Sequence, residues 1–296
     1  MADIQKNKRR KKQSKENEFL IQGAILAAAA VIVKIIGALY RIPLTNIIGD
    51  EGNGFLVYAM ALMLSSFSLP IAVSKLVSTK MAMHQPRNAF RIFKCAMMFA
   101  VSVGAVVALA IFLGADMISR HLMESPLSVY TLKVLAPALF IVAVLGVMRG
   151  YFQGMGTMVP TAISQVLEQI INATVNIVGA SIMIKVGMAA AKKQDNPLLE
   201  PAYGAAGGTA GTATGALVAL LFLMFVFVLF QKVMMRQMRR DRTKHQDGYG
   251  QILKVLLLTI APILFSTAIY NINQIIDLTL FAKIMAAQGV TLKEYI

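Results

Sequence analysis

The residues in this chain that could do chemistry are few, and they sit where charge is costly. Lys34, Glu168 and Asp277 are ionisable groups inside long apolar stretches. A charge in a hydrocarbon layer costs a few kcal/mol on insertion scales, so each is a functional candidate by default. Around Lys34, the residues Gly23, Ala27, Ala30, Gly37 and Arg41 recur at helical spacing, which places Lys34 and Arg41 on one face two turns apart. Two cations on a face of small residues suit a phosphate or pyrophosphate group. The plainer alternative is that Lys34 snorkels or pairs with an acid while Arg41 anchors the interface.

The stretch around Glu168 is the richest. Thr161, Gln165, Glu168, Gln169, Asn172, Asn176 and Gly179 fall within about 100° of arc on a helix. A polar face four turns long cannot meet lipid, so it lines a water-filled cavity or makes a polar helix contact. The expectation is a cavity wall, with the Glu168 carboxylate placed to take a proton or bind a cation. A later stretch repeats the theme, with Ser266, Tyr270, Asn273, Gln274 and Asp277 sharing a face. Gly204, Gly207, Gly208, Gly211 and Gly215 form small-xxx-small patterns between these two regions, which predict close helix packing.

The elements that must position these groups are membrane helices. Apolar windows fall near 19–42, 55–77, 92–115, 128–149, 158–186, 203–231 and 253–283. Each reaches the roughly 20 residues that a bilayer core demands of a helix, and only helix satisfies so long a backbone there. The composition agrees: 57% hydrophobic, 15% charged and a mean hydropathy of +0.66, against about 25% charged in a soluble domain. Pro137 and Pro262 lie inside spans and predict kinks. The lone cysteine, Cys95, excludes a disulfide scaffold, and three scattered histidines do not make a structural zinc site. No cleavable signal peptide is evident.

The net charge of +15 could suggest nucleic acid, but its placement follows topology instead. With the N-terminus in the cytoplasm, inner segments hold twenty of the 29 Lys and Arg residues, Arg149 among them, and outer segments hold eight. That is a positive-inside pattern, and it implies anionic lipids at the cytoplasmic face as partners rather than nucleic acid. The chain divides into a basic cytoplasmic tail (1–18), a six-helix lobe (19–231), a basic cytoplasmic linker (232–251) and one further helix (252–296). An outward C-terminus just after a span reads as the front part of something longer.

No sequence motif for catalysis occurs: there is no H-E-x-x-H, no G-x-x-x-x-G-K-[ST] and no G-x-S-x-G. No metal or organic cofactor is expected, and the chain reads as a transporter rather than an enzyme. Without a nucleotide motif, transport would run on an ion gradient, the membrane potential or the substrate's own gradient.

Three segments carry a family likeness: Val33–Leu62, the SLPIAVSKLVS run from Ser68 to Ser78, and Arg149–Ile177, whose R-G-x-x-Q-G-x-G-x-M-x-P-T-A-x-S-Q-x-x-E-Q pattern is the most specific. They resemble the stage V sporulation protein B and MurJ-like branch of the multidrug/oligosaccharidyl-lipid/polysaccharide exporter superfamily. The resemblance implies an all-α polytopic membrane protein of two six-helix lobes around a central cavity, of which this chain holds the first lobe and the opening helix of the second. It implies a flippase in the cell membrane that carries an undecaprenyl-pyrophosphate-linked glycan, such as a peptidoglycan precursor, to the outer leaflet. The family's cavity cations map to Lys34 and Arg41, lysine at the first being a departure. The glycan would meet Gln165, Glu168, Gln169, Asn172, Asn273 and Asp277, and the second lobe would be an obligatory partner. The competing readings are a drug/cation antiporter using Glu168, a membrane enzyme on polyprenyl-linked sugars, and a non-transporting membrane subunit.

Overall fold

The computed structural model of the chain describes residues 20–40, 43, 69–122, 128–196, 199–241, 243, 246–266 and 269. They form seven helices: α1 (Leu20–Tyr40), α2 (69–82), α3 (Pro86–Met117), α4 (Ser128–Gly154), α5 (Val159–Gln194), α6 (Leu199–Arg239) and α7 (Tyr249–Ser266). A π turn, Ile118–Leu122, extends α3, and no strand occurs among the described residues. All but α2 are long and apolar enough to cross a membrane. Most of the expected second span, 55–77, lies outside the described residues, as does the second half of the expected seventh. The fold is an all-α polytopic membrane protein.

The longest helices exceed the bilayer. At 1.5 Å per residue the 41 residues of α6 extend about 60 Å, so its ends, including Arg236 and Arg239 in the last turn, project beyond a 30 Å hydrocarbon layer. The connections are tight. His84 at φ 57° and Pro86 at the head of α3 turn the chain between α2 and α3. Gly156 at φ 81° turns it between α4 and α5, where the Thr157 hydroxyl donates to the Phe152 carbonyl at 3.1 Å. A β-carbon is disfavoured at that φ, so glycine fits.

α4 is the centre of the bundle. Two thirds of its membrane window (67%) is buried, against 6% for α1. The backbone of α2 lies directly on Gly150 and Gly154 of α4, where a side chain would strike Pro70, Val73 or Val77. Phe93 of α3 stacks with Tyr151 of α4 at 4.5 Å and Phe227 of α6 at 5.3 Å, which ties three helices with an aromatic cluster. Ile252, Leu256 and Ile260 of α7 join the same core.

One end of the bundle is strongly basic, and there the α6–α7 linker is bound to α3. Asp241 accepts the backbone N–H of Arg87 at 2.9 Å and so caps α3, whose own N-cap side chain makes no capping bond. Arg87 Nε donates to the Met238 carbonyl at 2.8 Å, Arg91 donates to the Asp247 carbonyl at 2.9 Å, and Lys80 pairs with Asp247 at 2.5 Å. Burial pushes the Asp241 carboxyl up, but hydrogen bonds from Thr243 and from the Arg87 N–H outweigh it and hold its pKa below the ordinary carboxylate value.

Candidate functional site

The α4–α5 hairpin builds the first part of the site. Arg149 lies inside α4, not in a loop, and its guanidinium Nη2 donates to Glu168 Oε2 at 2.6 Å. Its Nε donates to Ser164 Oγ at 3.0 Å, and Ser164 in turn donates to the Thr161 carbonyl at 2.7 Å. The two charged side chains are 13% and 23% exposed. Glu168 is therefore charge-paired with Arg149 rather than isolated in the span. Positions 149 and 164 lie equally far from the turn at Gly156–Thr157, so an antiparallel hairpin must bring them to one depth.

The deeper half of the same face makes a different structure. Asn176 Nδ2 donates to Asn172 Oδ1 at 2.6 Å, and the Gly211 N–H of α6 donates to Asn176 Oδ1 at 2.9 Å. Thr212 Oγ1 adds a long 3.4 Å contact to Asn172 Oδ1. One turn further, Gly179 and Gly207 let the two backbones touch. Asn176 is buried and Asn172 half-buried. For these two residues, a polar helix contact describes the structure in place of a cavity wall, because the α6 glycines allow an approach that leaves no room for water.

α1 lies along the other flank of α5. A β-carbon on Gly37 would sit 3.2 Å from Gln169 Nε2, and Gln22 Oε1 accepts the Met158 N–H at 2.8 Å. Lys34 is exposed, about 60° around α1 from Gly37 by helical geometry, so it borders the α1–α5 seam. Among the described residues it forms no ion pair. Gln165 Oε1, one turn from Glu168, is buried without a hydrogen-bond partner among the described residues. Such an acceptor carries an unmet demand for a donor. The structure thus sets Gln165, Glu168 and Gln169 on adjoining turns of α5, with Gln169 against Gly37 of α1, while Lys34 lies exposed on α1. Arg41, Asn273 and Asp277 lie outside the described residues.

Known proteins give this arrangement a context. A family profile described as polysaccharide biosynthesis protein matches residues 20–239. In Bacillus subtilis strain 168, the chain is 34% identical over 168 residues to the uncharacterized membrane protein YabM, 29% over 175 to stage V sporulation protein B and 27% over 181 to the lipid II flippase MurJ. These alignments cover 54%, 57% and 56% of this chain but 30%, 34% and 33% of the relatives, so the match spans about a third of their length. A multidrug resistance MATE family transporter of the MOP superfamily, solved in an outward-facing conformation, superposes with a TM-score of 0.62 at 20% identity over 83% of this chain and 52% of that one. The described helices thus share the fold of about half of that transporter.

Proposed function

Because this chain belongs to the polysaccharide biosynthesis protein family, we propose that it forms the first lobe of a membrane flippase for a lipid-linked oligosaccharide. The cargo is a glycan on an undecaprenyl-pyrophosphate carrier, moved to the outer leaflet by alternating access between this lobe and a second one. The observation that carries this reading is the Arg149–Glu168 ion pair. It compensates the negative charge of the α5 face, and Lys34 on neighbouring α1 is the cation proposed to act beside it. A face with that balance accepts an anion such as pyrophosphate, whereas a cation exchanger needs a free carboxylate.

Lys34 and Arg41 are the proposed phosphate contacts. Gln165 and Gln169 are the proposed glycan contacts, with the unsatisfied Gln165 oxygen suited to a sugar hydroxyl. Asn172, taken up by the contact with α6, leaves the glycan-binding set, and Asn273 and Asp277 would act from the second lobe. Glu168 orients this face through Arg149. The localisation proposed is the cell membrane with the basic end of the bundle in the cytoplasm, where Lys80, Arg87 and Arg91 gather. The relatives named for sporulation and for lipid II motivate both a sporulation and a vegetative wall role, and the proposed cargo chemistry is shared by the two.

The test is complementation of a flippase-deficient strain by the intact protein, with membrane abundance measured in parallel. Lys34→Ala and Arg41→Ala are each expected to abolish growth rescue, since losing one charge-assisted contact to a phosphate costs roughly 1.5–3 kcal/mol, about ten- to hundred-fold in binding. Lys34→Arg keeps the charge and is expected to rescue. A drug/cation antiporter predicts the reverse order, with Glu168→Gln the dominant loss at normal abundance and both cation variants near neutral. That second pattern would overturn the assignment.

A further inference from the structure

Away from the polar face of α5, a crevice of about 580 Å³ lies between α2, α3 and α7. This is a volume ordinary for a small-ligand site. Leu76 of α2, Ile92 of α3, and Val255 and Leu258 of α7 make its walls apolar. Its polar lining is Thr79, Lys80, Asp247, Gln251 and Lys254. α2 ends and α7 begins at the basic end of the bundle, so these groups collect there while the apolar wall continues toward the membrane centre. On α7, Leu253, Leu257 and Leu258 are exposed, so the apolar wall of the crevice continues onto an exposed apolar surface.

We propose that this crevice binds one anionic phospholipid from the leaflet at the basic end. Its phosphate would lie between Lys80 and Lys254 and an acyl chain along Leu76, Val255 and Leu258. An apolar slot with cations at one end has the charge pattern of an anionic amphiphile, and two lysines against one aspartate leave the mouth positive. A free phosphate shares the headgroup chemistry but gains nothing from the apolar walls. Lys80 is engaged by Asp247 at 2.5 Å, so the lipid phosphate competes with that carboxylate. The linker remains held when it does, because Arg91 bonds the Asp247 carbonyl and Asn88 Oδ1 accepts the Asp247 N–H at 3.2 Å. The site is separate from the cargo face and does not depend on the flippase reading.

The sequence contains no tryptophan, so a single introduced indole is an unambiguous reporter. Val255→Trp is made in the 296-residue chain and reconstituted in phosphatidylcholine vesicles doped with brominated phosphatidylglycerol or brominated phosphatidylcholine. Leu258→Trp reports the same wall should the first variant fail to fold. Phe230→Trp, on the exposed side of α6 near the same end, reports the general attraction of a basic surface. Quenching at 255 is expected to favour the anionic lipid over the neutral one by roughly five-fold beyond the ratio at 230, the scale of one added cation near an anionic surface. Lys80→Gln with Lys254→Gln should bring the ratio at 255 down to that at 230, and Asp247→Asn should raise it. Millimolar inorganic phosphate should leave it unchanged. Equal ratios at the two positions, a preference that survives loss of both lysines, or full competition by inorganic phosphate would each overturn the proposal.

Discussion

α5 has two flanks, and they are built in opposite ways. Against α6 the contact is backbone on backbone, with Gly179 over Gly207 and the Asn176 side chain bonded to the Gly211 N–H. Against α1 the contact is made by side-chain ends, Gln169 at Gly37 and Gln22 on the Met158 N–H, and α1 is almost wholly exposed. The first flank has no freedom to slide, because each amide and each glycine fits one register. The second can be re-formed at small cost, since the ends of glutamine side chains have many rotamers. The cargo contact proposed at Lys34 would act on the second flank, the more easily rearranged of the two.

Substitutions sharpen this contrast in order of size. Gly207→Leu is expected to have the largest effect, since a side chain there would run into the Gly179 carbonyl and Met183. Overpacking of this kind costs roughly 3 kcal/mol or more, and loss of folded protein from the membrane fraction would be the readout. Survival of G207L with a normal thermal melt in detergent would break the claim that this seam is fixed. Glu168→Ala comes next, because it strands a largely buried guanidinium. The expected destabilisation is about 3 kcal/mol, the low end for a buried pair because both side chains keep some solvent contact. Removing Arg149 as well should restore most of the loss, and a double variant as unstable as the single would show that packing rather than charge is at stake.

Asn176→Ala is expected to cost about 0.6–1.7 kcal/mol, the range measured for polar contacts between membrane helices, read as a lowered midpoint in detergent-induced unfolding. Gly37→Ala should be the mildest, within about 0.5 kcal/mol, because the new methyl meets only the mobile end of Gln169. If it destabilised as much as a change in the α6 seam, the α1 flank would be as fixed as the other and the contrast would fail.

Class, helix number and the basic end are properties of composition and spacing, and the sequence by itself determined them. Apolar windows of bilayer length leave helix as the only backbone solution, and glycines at four-residue spacing predict a tight seam whatever the partner is. The seam's partner was not legible, because Gly207 and Gly211 carry no address. Nor was the fate of the polar α5 face. Periodicity shows that Gln165, Glu168, Asn172 and Asn176 share a side, yet it cannot say whether water, ligand or another helix lies opposite. The tertiary structure divided that face in two: the α4 hairpin set Arg149 on Glu168, and the α6 glycines brought a backbone to the asparagines. The physical reason is that a polar group in a membrane must find some partner, and which partner depends on which helix comes within hydrogen-bonding distance.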